Sequence, residues 1–336
     1  MKKDKITLAH GGGGQIANEL IEGLFLPILG NPILNKLNDQ GVFEINSTRF
    51  AFTTDSYVIN PIFFPGGDIG ELAVYGTVND LSMGGARPLY LSVGLIIEEG
   101  FPMDDLTRIM NSIKKAAKES DVQIIAGDTK VVNKGGVDGI FINTAGVGVI
   151  EYNHNISADN LQAGDKIILS GYLADHGIAI MAKREGLIFN NTILSDSAPL
   201  NNIVSEMLKT GAEIHAMRDP TRGGLSSTLN EFAKKSGVGI VIEEAKIPIR
   251  EEVSEACEIL GLNPLYVANE GKLVAVVKRD GADVILEAMR KSRFGEMAAL
   301  IGEVTDSHKG KVFMKTVTGA TKIVDMSVGD QLPRIC

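Results

Sequence analysis

The 336-residue chain carries 42 acidic and 33 basic side chains, a net charge of −9, and no basic cluster. That balance argues against a nucleic-acid partner, because phosphate binding needs a positive surface. No stretch approaches the roughly 20 apolar residues of a membrane span. The charged start Met1 to Thr7, followed by four glycines, does not read as a signal peptide. The two cysteines, Cys257 and Cys336, form neither a disulfide framework nor a metal set, so the expected compartment is the reducing cytoplasm. The length suffices for two domains, each with its own core.

In chain order, the apolar spacing of Ile16, Leu20, Ile21, Leu24 and Phe25 predicts a helix from Gln15 to about Leu29. A strand from Phe50 to Thr54 runs into Asp55, and Gly66-Gly67-Asp68 opens a second helix ending near Met83. Pro88 to Ile97 reads as a strand, Asp104 as the cap of a helix to about Ser120, and Val122 to Ala126 as a buried strand ending at Gly127-Asp128. Ile140 to Ile150 is a long strand of small residues, and the polar stretch Glu151 to Asp165 divides the chain. The reading is a first domain over 1–155, a second over 156–324, and a flexible tail over 325–336 that ends in Cys336. In the second domain strands fall at Lys166 to Ser170, Gly239 to Glu243, Lys272 to Lys278, Ala298 to Val304 and Lys311 to Lys315. Helices fall near Asp175 to Arg184, Leu200 to Thr210, Gly223 to Ser236 and Arg250 to Leu260.

His10-Gly11-Gly12-Gly13-Gly14 precedes the first helix, where bare backbone N–H groups suit a phosphate. It is neither a Walker loop nor a dinucleotide fingerprint. Four carboxylates, Asp55, Asp80, Asp128 and Asp219, recur at strand and helix ends beside Gly, Thr or Lys. Any one of them alone would read as a turn former. Together they supply the hard oxygen ligands that a Mg-nucleotide site requires. Asp219-Pro220-Thr221-Arg222-Gly223-Gly224 adds a guanidinium able to hold phosphate bidentately.

Asn79-Asp80-Leu81-Ser82-Met83-Gly84-Gly85-Ala86, Gly127-Asp128-Thr129-Lys130 and Asp219-Pro220-Thr221-Arg222-Gly223-Gly224 together resemble the superfamily of aminoimidazole ribonucleotide synthetase, selenophosphate synthetase and thiamine monophosphate kinase. Leu8-Ala9-His10-Gly11, Thr54-Asp55-Ser56-Tyr57-Val58, Phe63-Phe64-Pro65-Gly66-Gly67 and the ending Pro333-Arg334-Ile335-Cys336 narrow this to the HypE family of hydrogenase maturation proteins, end to end. The family loop often has Ser where this chain has Gly12. Selenophosphate synthetases generally keep a Cys or selenocysteine in that loop, and none is present here.

The resemblance implies an α/β (α+β) two-domain aminoimidazole ribonucleotide synthetase-like (PurM-like) fold, paired as a homodimer. It implies an enzyme that uses ATP and Mg²⁺ to dehydrate an S-carboxamide on its own Cys336 to a thiocyanate, through phosphorylation of the carbamoyl oxygen. It implies loading by a carbamoyltransferase of the HypF type and delivery of cyanide, for the iron of [NiFe]-hydrogenase, to a scaffold of the HypC and HypD type. By motif position the proton acceptors are Lys130 and Glu270; ATP falls to His10, Gly11, Gly12, Gly13, Asn79, Asp80, Asp128, Thr129, Arg222, Gly223 and Gly224; metal falls to Asp55, Asp80, Asp128 and Asp219. Cys257, among Val253, Ala256 and Leu260, reads as a buried apolar residue. His176 either caps a helix or touches substrate, and His154, His215 and His308 have no partner at metal spacing.

Overall fold

The computed structural model describes residues 5–187, 189, 192–329, 332 and 334–336; Pro333 of the terminal motif lies outside the described residues. The N-terminal half holds β1 (Gly41–Ile45), β2 (Thr48–Tyr57), the small pair β3 (Phe63–Phe64) and β4 (Gly67–Asp68), then β5 (Arg87–Glu98), β6 (Gln123–Val132) and β7 (Ile140–Ile150). Five of these form one sheet in the order β1-β2-β7-β5-β6, antiparallel except for the β5–β6 pair.

In β7 alternate residues Ile140, Ile142, Thr144, Gly146, Gly148 and Ile150 turn inward, the period of two that a half-covered strand requires. Helix Ile69–Met83 lies on that face. A Cβ at Gly146 would sit 2.7 Å from Leu91 and 3.0 Å from Leu81, so glycine sets how closely the helix approaches. Asp68 caps this helix, accepting from Gly70 N–H at 2.8 Å and Glu71 N–H at 3.3 Å; losing such a cap costs about 1 kcal/mol. The expected cap at Asp104 falls elsewhere. Helix Met103–Glu119 starts after Pro102, whose ring fixes φ, and Asp104 sits in the first turn beside the positive end of the helix dipole.

The C-terminal half holds β8 (Lys166–Leu169), β9 (Ile214–Arg218), β10 (Gly239–Glu243), β11 (Val274–Val277), β12 (Ala299–Thr305), β13 (Val312–Lys315) and β14 (Thr321–Ile323), in one sheet ordered β14-β13-β10-β12-β8-β11-β9. One face is covered by helices Asn201–Lys209 and Ala282–Lys291 through Ile203, Met207, Ile285 and Met289. The other is covered by helix Gly224–Ser236, whose Phe232 is fully buried; truncation there to Ala would cost about 3–5 kcal/mol.

Two sequence expectations need correction. The apolar run Val122 to Ala126 is not a buried strand: β6 is the sheet's edge, longer than expected, and exposed along nearly its whole length, because none of the chain's described helices covers it. The tail after Asp325 carries no helix or strand among its described residues, yet its end is seated. Leu332 and Ile335 are buried, and Val58 N–H donates to a main-chain carboxylate oxygen of Cys336 at 3.0 Å.

Candidate functional site

A cavity of about 670 Å³ opens between the two halves, with its walls built from strand and helix ends. β2 delivers Asp55; helix Ile69–Met83 delivers Asp80; the turn after β9 delivers Asp219 and Arg222; the turn before β11 delivers Glu270. His10, Gly11 and Gly13 close one side, and Cys336 reaches in from the other end of the chain.

Each is held by its neighbours. The Thr53 hydroxyl donates to an Asp80 carboxylate oxygen at 3.0 Å. Glu270 N–H donates to Asp196 at 3.0 Å, while the Asn269 side-chain amide donates to the Pro220 carbonyl at 2.9 Å, tying the Glu270 turn to the Asp219 turn. Arg222 donates to the Gly11 carbonyl at 3.3 Å. Gly13 has φ +69°, and a Cβ there would lie 2.7 Å from that of Arg222, so only glycine allows this contact. Gly224 (φ +60°) starts its helix against the Val267 carbonyl, 2.6 Å from where a Cβ would be.

The charges do not balance. Burial, then the Asp219, Asp39 and Asp55 charges, pushes Asp80 well above the ordinary carboxylate range. Burial followed by Asp39 pushes Asp219 up to about 8. Asp55 is raised by burial against the pull of Arg222, and Glu270 is raised by burial and by Asp219, Asp55 and Asp196. Glu270 Oε1 is buried with no hydrogen-bond partner in the structure. Arg222 is held firmly charged, first by Cys336 and then, against the cost of its burial, by Asp55 and Glu270. This is a site short of cations.

The oxygen donors fit a hard divalent cation, and the unpartnered Glu270 oxygen and mutually repelling carboxylates fit one that arrives with its ligand. Among the described residues no three acidic, His or Cys side chains converge as a ready-made metal cage. Mg²⁺ does not need one, since it keeps waters and takes one or two carboxylates plus phosphate oxygens.

The sequence-predicted residues divide into four groups. The cavity gathers His10, Gly11, Gly13, Asp55, Asp80, Asp219, Arg222, Glu270 and Cys336. Gly12, Gly223 and Gly224 stand just behind Arg222 in its supporting turns; Gly12 and Gly223 line a small recess there. Asn79 is fully buried, donating to the Ala198 and Glu270 carbonyls and accepting from Leu200 N–H, so it joins the two halves. Asp128, Thr129 and Lys130 are not brought to the cavity of their own chain. They lie on β6, three strands from β2 or roughly 14 Å across the sheet, with Lys130 paired to Asp128 at 2.9 Å in solvent.

Sequence reasoning missed Asp39, Arg218, Glu231 and Lys235, which form the polar floor. Arg218 bridges Asp39 at 2.9 Å and also Glu231, and burial pushes Lys235 down to about 8. Arg218, one residue before Asp219, was the available signal.

The two α/β halves with a carboxylate-lined cleft between them define an AIR synthase-related protein. That family's N-terminal domain matches residues 37–150 and its C-terminal domain residues 162–315. The carbamoyl dehydratase HypE of Azotobacter vinelandii is 51% identical over 336 residues, covering 100% of this chain and 98% of that protein. A HypE crystallised with HypF is 48% identical with a TM-score of 0.87, over 92% of this chain and 99% of that one. A HypE in complex with ATP is 47% identical with a TM-score of 0.84, over 98% of this chain and 100% of that one. The chain belongs to the HypE family of carbamoyl dehydratases, enzymes of hydrogenase maturation.

Proposed function

We propose that this chain dehydrates an S-carboxamide carried on its own Cys336 to a thiocyanate, using ATP, and so supplies cyanide for the iron of [NiFe]-hydrogenase. The observation that carries the reading is that the chain's last residue lines the same cavity as Asp55, Asp80, Asp219, Arg222 and Glu270. The balanced reaction is S-carboxamide plus ATP to thiocyanate, ADP and phosphate. An amide oxygen is a poor leaving group, so it must first be phosphorylated. Arg222 faces the charge that develops on the transferred phosphoryl, and Asp55, Asp80 and Asp219 would hold Mg²⁺, which offsets phosphate charge when bound. His10, Gly11 and Gly13 offer the phosphate cradle.

Two N–H protons leave the carbamoyl nitrogen as the C–O bond breaks and C≡N forms. Glu270 suits one of them, because burial and neighbouring charge raise its basicity. Lys130 is proposed for the other, and its place on the open edge strand supports a homodimer in which a second copy covers that face. The uncovered side chains there include Ile96, Ile125 and Val131.

A HypF-type carbamoyltransferase would load Cys336, in keeping with the relative crystallised with HypF, and a HypC and HypD type scaffold would take the cyanide, all in the cytoplasm. The nine residues from Val328 span about 30 Å when extended, enough to swing out and back. No helix among the described residues is long and apolar enough to cross a membrane.

The test is to give the S-carbamoylated chain Mg-ATP and follow the mass of its C-terminal peptide. Loss of one water, absent without ATP, is expected, and Cys336→Ala should show no change at all. ATP consumption with an unaltered tail would refute the reading.

A further inference from the structure

His176 stands outside the acidic cavity, fully buried in the first turn of helix Asp175–Glu185. Its Nε2 lies 2.8 Å from the Ile335 carbonyl, and its Nδ1 lies 2.8 Å from the Ser195 hydroxyl. A carbonyl can only accept, so Nε2 carries the proton and donates, and Nδ1 accepts from Ser195. Ser195 is oriented in turn, because its oxygen accepts from Ser197 N–H at 3.1 Å. Burial holds the imidazole pKa below its ordinary value, which favours this neutral form.

A buried histidine is usually satisfied by its own core. This one spends its donor on the last peptide unit before Cys336, the residue that the proposed function makes the carrier. Around that bond the tail is held by further hydrogen bonds, among them one from Arg184 to the Arg334 carbonyl at 3.0 Å and one from Arg334 to Asp138 at 2.6 Å. Val58 N–H donates to Cys336 at 3.0 Å, Asn60 N–H donates to the Arg334 carbonyl at 3.2 Å, and Arg334 Nε donates to the Val58 carbonyl at 2.8 Å. The 58–60 and 334–336 segments therefore pair in opposite directions. A Cβ at Gly177 would come 3.2 Å from Leu332, so the residue after His176 makes room for the tail's other buried anchor.

The helix that carries His176 is pinned by the segment that carries Glu270. Ala174 N–H donates to the Asn269 side-chain oxygen at 2.8 Å, and Gly177 N–H donates to the Ala268 carbonyl at 3.1 Å. One short stretch, 268–270, thus sets both the cavity's buried carboxylate and the group that grips the tail.

We propose that His176, oriented by Ser195, is the positioning residue for the terminal thiol: its Nε2–H grips the Ile335 carbonyl and so fixes where Cys336 sits in the cavity. This deepens the function proposed above and rests on it for its catalytic consequence.

The test uses the full-length chain. Cys257 is buried with its thiol pushed up to about 11, so iodoacetamide at pH 8 reads Cys336. His176→Leu should raise the Cys336 alkylation rate about tenfold, the expected scale for leaving a buried carbonyl without its donor. It should slow single-turnover thiocyanate formation by a similar factor at saturating Mg-ATP, with ATP affinity unchanged. His176→Gln, whose amide nitrogen reaches the Nε2 position, should restore both readouts to within about threefold of wild type. Ser195→Ala, which keeps the histidine but releases its ring, should shift both in the same direction by a smaller factor, and serves if His176→Leu fails to fold. Alkylation within twofold of wild type in either His176→Leu or Ser195→Ala, or a His176→Gln variant no better than His176→Leu, overturns the proposal. A wild-type chain that forms no thiocyanate overturns the functional reading instead, and the alkylation result still decides the role of His176.

Discussion

Two sets of carboxylates that look alike in the sequence sit in opposite surroundings. Asp80 and Asp219 are packed in the cleft, where burial and mutual repulsion raise them far above their ordinary range. Asp128 lies on the edge strand, and Lys130 beside it holds its pKa below the ordinary range, in solvent. The first set is crowded by like charge, and the second already has a partner. A pattern shared by several acidic residues therefore need not describe one site in one chain.

The largest expected effect lies at the cleft. Glu270→Gln keeps the shape of the side chain and removes the base, so thiocyanate formation should fall about 10²–10⁴-fold, with ATP binding changed little. Mass spectrometry of the C-terminal peptide over time measures it. Residual turnover within tenfold of wild type would remove Glu270 from the role of proton acceptor.

A sharper test asks whose cavity Lys130 serves. Lys130→Ala and Glu270→Gln chains should each be inactive alone. Mixed and allowed to exchange subunits, they should regain up to about a quarter of wild-type activity if Lys130 acts on the partner's cavity. That follows because half of the pairs are then mixed, each with one intact site out of two. If Lys130 serves its own chain, every site carries one lesion and nothing returns.

A smaller effect concerns stability and pH. Asp219 has a folded pKa raised from 3.8 to about 8, so between those values the folded state binds the extra proton. Stability of the metal-free protein should therefore fall as pH rises from about 4 to 8, by on the order of a few kcal/mol at most, and level off above that. Asp219→Asn should flatten this slope and raise the melting temperature at pH 8 by a few degrees in chelator. Adding Mg-ATP should stabilise the wild type more than the variant. A variant melting lower than wild type at pH 8 in chelator would show that the crowding costs nothing.

The elements that position the cleft were largely legible. Gly66-Gly67-Asp68 marked the start of the helix that Asp68 caps, and Ile140 to Ile150 read as a long strand, the one on which that helix lies. The limits were set by partners remote in sequence. Asn79 and Asp80 are adjacent, but successive helix residues point about 100° apart. One therefore joins the second half while the other faces the cleft. Asp39 follows Asn38 in a loop with no motif, and only the fold sets it against Arg218. Helix Ala282–Lys291 went unread although Ile285 and Met289 stand four apart, a signal that was available. His176 remained open between cap and contact, because its acceptor lies 159 positions away, at the chain's end.

The smallest effect completes the contrast. Asp128→Asn removes a carboxylate held below its ordinary range by Lys130, and the sign is opposite to that of Asp219. A depressed acid stabilises the folded state above its unfolded pKa, and that contribution disappears as pH falls through the folded value. Both partners are about 69% exposed, so solvent screens the pair and the helix-free edge strand gains almost nothing from it. The melting temperature of Asp128→Asn should therefore match wild type within about a degree from pH 5 to pH 8. If thiocyanate formation nevertheless falls, the acid is retained for what it does against a second copy, since it does nothing measurable for its own fold. If the melting temperature drops by several degrees instead, β6 is covered in solution, and the pair is buried in the assembly.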